Sequence, residues 1–339
     1  LSVNKKVLQR VGRGRGGRIA ELILKYRHLK KLLSTYYIPL LDKASPLDGR
    51  VRADFNGHSV VTHRLGSYIH TLPREAGTIR KAIIPPPGYV MCYADYKQLE
   101  LRGIAIVSKD RKMIKDFNDG KDPLTVISAR VNNISEDEVT KEQRHADKAI
   151  VYGLNYLRGD EAIARDNDLD LEYVQEIRSF YFGRYRKVKQ YIDDTVAFAT
   201  ENGYVPIFGN LSRTINPSIR WAVRWDKLAP RLNRRGGSMD LGDMTRSAEN
   251  APIQGGCFWI VGTKVAAFLD KLADMGITRK HAALVLFLHD SVTFYVVEKL
   301  ADQFIKLMKK HLEWRNFTYR GNTIDFPVET KIISTLEDA

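Results

Sequence analysis

Asp95 closes the stretch CYAD, Cys92 to Asp95, and Asp290 falls inside LFLHDSVTFYV, Leu286 to Val296. Each puts a carboxylate where an apolar run of strand character stops. If the two strands are neighbours in one sheet, both carboxylates reach the same edge. Hard oxygen ligands of this kind suit Mg²⁺, which takes a few carboxylates together with water and substrate phosphates. Two such ions about 3.5–4 Å apart stabilise the attacking and leaving oxygens of an in-line displacement at phosphorus. The competing reading is that each aspartate only makes a turn.

A second set lies in RHADKAIVYGLNY. Arg144, Lys148, Tyr152 and Tyr156 recur every fourth residue, which lays them along one face of a helix. Two cations followed by two aromatics fit a triphosphate at one end and a base or sugar at the other. Arg144 offers a bidentate fork and Lys148 a point charge. Gly153 lets something approach the helix closely. The plain alternative is a solvated basic face that ends in buried tyrosines.

These residues need elements to position them. A proline stop and a glycine turn in IIPPPGYVMCYAD precede a strand over Tyr89 to Ala94. QLELRGIAIVS then has helical spacing. Ser135 with Glu138 forms a capping box that starts one helix, and Thr140 with Gln143 starts the next, running to about Leu157. Residues 160–245 are mostly helical and charged, with a basic cluster of Arg220, Arg224, Lys227, Arg231, Arg234 and Arg235. VGTKVAAFLDKLADMG is an amphipathic helix. AALVLFLHDSVTFYVVE is a β-hairpin with its turn at Asp290-Ser291. A last helix over about 300–314 precedes a terminal strand, Asp325 to Ile333. Toward the start, VGRGRGGR is a flexible cationic stretch with Arg13, Arg15 and Arg18. Ile19 to Leu41 has helical spacing, with Lys25, Arg27, Lys30 and Lys31 suited to a polyanion. DGRVRADF and HSVVTHRLGSYIHTLP give short strands and turns. Strand, helix and hairpin thus flank a helical insertion, the pattern of an α+β fold whose antiparallel sheet carries a helical subdomain.

Composition sets the class of partner. The 339 residues carry a net charge of +14, which favours nucleic acid first and a membrane surface second. Cys92 and Cys257 sit in apolar surroundings, so they fit reduced core thiols rather than a disulfide or zinc site. No stretch approaches the ~20 apolar residues of a membrane span, and no signal peptide opens the chain. The first residue is leucine, so a fragment lacking an upstream domain is expected. No carboxylate cluster for proofreading is evident; the acid at Asp170 is a helix start.

Together these stretches resemble the family A DNA polymerases. DYKQLELR is similar to the first palm motif D-Y-S-Q-I-E-L-R, RHADKAIVYGLNY to the fingers motif R-x-x-x-K-x-x-x-F/Y-G-x-x-Y-G, and LHDS to the last palm motif H-D-E. RSAENAPIQG, Arg246 to Gly255, resembles R-x-x-x-N-x-P-x-Q-G. VVTHRLGS, Val60 to Ser67, resembles T-G-R-L-S-S, and ILKYRHLKKLLSTYYIPL the base of the thumb. The order is also the family's, and nearly the whole chain is covered.

The resemblance implies a right-hand architecture. Residues 1–48 would be a partial thumb, 49–96 and 247–339 an antiparallel-sheet palm, and 97–246 helical fingers. It implies a DNA polymerase using two Mg²⁺ ions at Asp95 and Asp290, with Tyr96 in the same ligand set. Arg144 and Lys148 would hold the incoming triphosphate, Lys148 also giving a proton to pyrophosphate. Tyr152 would lie against the nucleotide, Glu100 under C2′ to exclude a ribose hydroxyl, and Gln98 behind the pocket. Tyr156 would stack near the template base. Arg64, Asn250 and Gln254 would touch the DNA near the primer end, His289 would lie near its terminus, and Arg246 would support that segment. The expected partners are primer–template DNA, dNTPs and other replication proteins, for a monomer in the cytoplasm of a bacterium or phage host. Departures from the motifs suggest a divergent, phage-type member: Ser291 for glutamate, Leu157 for glycine, GGCFWIVGTK after Gln254, no histidine in GKDPLT, and a short loop after Arg64. The alternatives are a single-subunit RNA polymerase, which Ser291 matches better, and a non-catalytic DNA-binding relative.

Overall fold

A computed structural model describes residues 7–8, 17–57, 64–73, 79–207, 212–214 and 241–339. Arg13, Arg15, residues 60–63 of the Val60–Ser67 segment and the basic cluster from Arg220 to Arg235 lie outside the described residues. The chain divides into two units.

The smaller unit draws on Leu1–Asn56, Gly66–Pro86 and Ile333–Ala339. The helical spacing from Ile19 onward produces α1 (Gly17–Lys31), a wider π-type turn (Leu32–Tyr37) and α2 (Ile38–Asp42). His28, Lys30 and Lys31 fill the last turn of α1, where cations complement the negative end of the helix dipole. The short strands expected after α2 are, among the described residues, single bridges. Ala44 pairs with Val51, and Asn56 with Gly66. Asp48 accepts from the Arg50 N–H at 3.1 Å and from Arg52 at 2.5 Å, local bonds that compete with a ladder.

The larger unit draws on Gly57–Leu65 and Pro87–Ile332. It begins with β1 (Tyr89–Tyr96), then α3 (Leu99–Ser108), α4 (Arg111–Asn118), α5 (Pro123–Val131), α6 (Lys141–Asn155), α7 (Asp160–Asn167), α8 (Leu171–Arg184) and α9 (Arg186–Asn202). The small hairpin β2 (Tyr204–Pro206) and β3 (Ser212–Thr214) comes before α10 (Leu241–Asp274). The chain continues through β4 (Ala282–Leu288), β5 (Ser291–Val297), α11 (Ala301–Leu312), β6 (Trp314–Tyr319), β7 (Asn322–Phe326) and β8 (Val328–Ile333). The main sheet has the order β4-β5-β1-β8, with β5 antiparallel to both β4 and β1. This is an α+β fold. Phe268 of α10, Phe294 of β5 and Phe304 of α11 form one buried cluster, with ring centroids 5.3–5.7 Å apart. Burying each ring is worth roughly 1.5–3 kcal/mol, so the sheet and the two helices are held as one layer pair. No helix among the described residues is long and apolar enough to cross a membrane.

Several boundaries differ from the sequence expectation. The terminal strand expected over Asp325 to Ile333 is two strands, interrupted at Pro327, which has no N–H for a ladder. β7 pairs instead with β6, a hairpin the sequence reading omitted. The amphipathic helix expected from Val261 is the second half of α10, a 34-residue helix that continues through Pro252. Ala248 and Ala251, beside that proline, are fully buried, so packing outweighs the roughly 3 kcal/mol an interior proline costs. Ser135 and Glu138 do form a capping box, but it starts only a 3₁₀ turn, because Val139 returns to extended backbone.

Candidate active site

The apolar alternation of β1 buries Met91, Cys92, Ala94 and Tyr96 and leaves Asp95 half-buried at the strand's end. In the β1–β5 ladder Asp95 lies opposite Ser291, and the Tyr96 N–H donates to the Asp290 carbonyl at 3.2 Å. Asp95 and Asp290 therefore share one sheet edge, as the sequence anticipated. The hairpin turn is one residue earlier than expected. It is His289-Asp290, because Ser291 already pairs with Leu288 and its hydroxyl donates to the Leu288 carbonyl at 3.0 Å. His289 takes the left-handed conformation, φ 59°, that closes so short a loop. Tyr96 is buried, and its phenol donates to the Leu312 carbonyl at 2.6 Å. The Tyr96 oxygen left for a cation is its main-chain carbonyl.

Burial first, and then the like charge of Asp290, push Asp95 up to about 7. The Tyr93 hydroxyl, 3.4 Å away, and the Lys148 ammonium act in the opposite direction. On the other side Glu329 of β8 adds negative charge, though it is paired with Lys97 at 2.5 Å. Two adjacent carboxylates that repel each other's ionisation, at an edge built of hard oxygens, match the donor set of a Mg²⁺ site. No group of three or more His, Cys, Asp or Glu side chains gathers as a metal cluster among the described residues.

Helix α6 begins as the T-x-x-Q pattern predicts. Thr140 accepts from the Gln143 N–H at 3.2 Å, and Gln143 returns a bond to the Thr140 N–H at 2.9 Å. The helix ends at Asn155 rather than near Leu157, which is left-handed at φ 53°. Arg144 sets its Nε and Nη2 against Asp122, each at 2.6 Å. Asp122 is itself the N-cap of α5, accepting from the Leu124 N–H at 2.9 Å. Lys148 Nζ lies 5.5 Å from the centre of the Tyr152 ring. Burial raises the Tyr152 phenol, and the charges of Glu100 and Asp290 raise it further. The middle of the stripe and the carboxylate edge thus act on each other electrostatically. The stripe is braced from behind by Asp147, which is fully buried. It accepts from Ser128 of α5 and from the Tyr173 hydroxyl of α8 at 2.8 Å. Gly153 does admit a close neighbour. A Cβ there would meet Ile163 of α7 at 2.9 Å, so the space serves helix packing.

Glu100, in the first turn of α3, is a hub. It receives Arg64 Nη2 and the Tyr156 hydroxyl, each at 2.5 Å. Burial raises the Tyr156 phenol most, Glu100 raises it further, and a hydrogen bond from Gln254 partly offsets this. Arg64, Glu100, Tyr156 and Gln254 thus form one connected group. Gln98, just before α3, sits at φ 49°, and its buried Oε1 has no partner among the described residues. Asn250 Oδ1 is likewise buried and unmatched there. Arg246 and Gln254 are half-buried on α10, and His289 is exposed at the hairpin tip. Sequence reasoning missed Asp122, Asp147 and Glu249. Glu249 is fully buried on α10, and neither carboxyl oxygen is bonded among the described residues. Burial, and then the charge of Glu100, raise it well above the usual carboxyl range.

Residues 1–335 match the family model described as DNA polymerase family A. The chain is 32% identical over 301 residues to DNA polymerase I of Caldicellulosiruptor bescii, covering 87% of this chain and 33% of that protein. It is 30% identical over 302 residues to DNA polymerase I of Geobacillus stearothermophilus, covering 87% and 32%. The polymerase domain of Pol1 from M. smegmatis, solved in complex with DNA primer-template and dNTP, superposes with a TM-score of 0.81 at 26% identity. That match covers 100% of this chain and 57% of the other. The chain spans about a third of the length of these curated relatives.

Proposed function

The chain belongs to DNA polymerase family A, and from that premise we propose that it is a template-directed DNA polymerase. It adds dNTPs to a primer 3′-OH and releases pyrophosphate. The observation that carries this reading is the meeting of Asp95 and Asp290 at one sheet edge, within the influence of Lys148.

Asp95, Asp290 and the Tyr96 carbonyl would hold two Mg²⁺ ions. Bound there, magnesium lowers the cost of ionising the 3′-OH and screens charge on the phosphates. The chain's own groups do the rest. Arg144 spends Nε and Nη2 on Asp122, which aims Nη1 and the rest of the fork at a phosphate oxygen. Lys148 binds the triphosphate as a point charge and carries the proton that the departing pyrophosphate takes up. Tyr152 lies against the sugar and base. Glu100, held by Arg64 and Tyr156, stands beside C2′ and leaves no room for a hydroxyl. Gln98 supports the pocket, and Tyr156 stacks near the template base. Arg64, Arg246, Asn250, Gln254 and His289 contact the primer–template.

In this reading residues 1–48 are a partial thumb, 49–96 and 247–339 the palm, and 97–246 the fingers. The enzyme acts as a monomer in the cytoplasm of a bacterium or a phage host. The deciding experiment is extension of a labelled primer in Mg²⁺ with dNTPs and rNTPs in parallel. Template-directed extension with dNTPs and little with rNTPs supports the proposal. Equal extension with rNTPs, or bound DNA with no extension, overturns it.

A further inference from the structure

Away from the carboxylate edge, a cleft of about 810 Å³ opens between α4, α5, α8 and the start of α9. Lys112, Arg130, Arg184 and Arg186 line it, with Glu176 the single acid of the lining. The half-buried ring of Phe180 contributes an aromatic wall, and beside it Gly183 contributes no side chain. A Cβ built on Gly183 meets nothing within 4 Å, so the space there is open.

The cationic lining is organised rather than incidental. Asp116 is 2% exposed and accepts from Arg184 Nη2 at 2.8 Å, Arg184 Nε at 3.2 Å and the Tyr185 hydroxyl at 2.9 Å. Those bonds fix the guanidinium plane and leave Nη1 for a ligand. Lys112 stands 3.9 Å from the same carboxylate. Arg130 and Arg186 are exposed, and neither is ion-paired among the described residues. The cleft also has a fixed relation to the site already described. Asp122, which holds Arg144, caps the start of α5, and Arg130 lies near its end. The nine residues of this helix span about 13 Å at its rise per residue.

We propose that this cleft binds single-stranded DNA, separately from the Asp95–Asp290 edge. Cations set around an aromatic face are what a single strand needs: phosphates meet the guanidinium groups and an unpaired base stacks on the ring. A duplex hides its base faces and would make no use of Phe180. Asp116 is the positioning residue of the cleft.

The test compares the wild type with a variant carrying Arg130→Glu and Arg186→Glu, both at exposed positions. Its readout is fluorescence anisotropy without Mg²⁺, using labelled oligo(dT) of about 15 nucleotides and a blunt duplex of equal charge. Oligo(dT) binding should weaken at least fivefold near 0.1 M salt, with the slope of log affinity against log salt falling by about 1.4, two single-strand phosphate contacts. Duplex binding should change less than twofold. Gly183→Leu, which fills the open space without changing charge, should weaken oligo(dT) binding while leaving the Tm intact. Equal losses on both DNAs, or no loss on either, overturn the proposal. So does an acidic peptide that binds the wild type but not the variant while oligo(dT) binding is untouched. No readout requires catalysis, so the cleft and the polymerase reading stand or fall separately.

Discussion

Asp95 and Asp290 are costly neighbours, since each disfavours the other's charge. Burial and the like charge of Asp290 push Asp95 toward neutrality, and a cation at the shared edge would relieve that cost. Asp95→Asn and Asp290→Asn should each cut primer extension at least a thousandfold, about 4 kcal/mol of transition-state stabilisation. DNA affinity should stay within about threefold, since it rests on phosphate contacts elsewhere. Single-turnover extension and anisotropy on the same proteins check both halves. Near wild-type extension by either variant removes the assignment. Glu100 has contacts that its place in the motif did not disclose. It holds Arg64 and Tyr156, so Glu100→Ala should raise the rNTP to dNTP incorporation ratio and also slow dNTP addition. An unchanged ratio in an active variant takes Glu100 out of the pocket. The charges of Glu100 and Asp290 both act on the Tyr152 phenol. A dideoxynucleotide lacks the 3′-OH, leaving a polar neighbour unmatched at a cost of about 1–3 kcal/mol, and the phenol can supply that donor. Tyr152→Phe should keep dNTP use and lower kcat/KM for ddNTPs at least tenfold, about 1.4 kcal/mol. A ratio that does not move means that Tyr152 does not face the sugar.

At the scale of elements, what the sequence disclosed was mostly local, the shared edge of Asp95 and Asp290 being the exception. The Thr140–Gln143 cap, the i, i+4 stripe that runs along α6 to Tyr156 and the glycine turn before β1 each depend on neighbours a few residues apart in sequence. Partners brought in from elsewhere were not legible. Asp122 meets Arg144 from 22 positions away, and Tyr173 meets Asp147 from 26. The hairpin turn was misplaced by one residue because His289, Asp290 and Ser291 all suit a short loop. Only pairing across the sheet fixes which two are used. Pro252 likewise marks a helix end locally, yet α10 passes through it on the strength of its packing. Glu249 sits in the same helix with an unmatched carboxyl, and its raised pKa has a direct effect on stability. The folded protein keeps this proton well above the pH at which the unfolded chain loses it, about 4.3. The fold therefore loses stability as pH rises above that value. Glu249→Leu should raise the Tm by several degrees at about pH 8 and by less at about pH 5. Calorimetry at the two pH values is the check; equal gains would mean that the buried carboxyl is ionised.

For the molecule as a whole, on the polymerase reading the +14 charge would govern encounter with DNA rather than choice of sequence. Binding to primer–template should weaken at least tenfold between about 50 and 200 mM salt, as expected of several phosphate contacts. It should differ little between unrelated sequences. A dissociation constant indifferent to salt would contradict this. The pairing of β1 with β5 has a further consequence, which concerns synthesis. About 200 residues separate the two strands, and a ribosome adds ~5–20 residues each second. β1 therefore waits on the order of 10–40 s for its partner. During that interval Met91 and Cys92, fully buried in the finished sheet, and a row of unpaired backbone groups stand at an open edge, a template for aggregation. A nascent chain arrested within α10 carries Asp95 but has nothing for it to face. Such a chain lacks the paired edge, which is completed only when β5 is laid down.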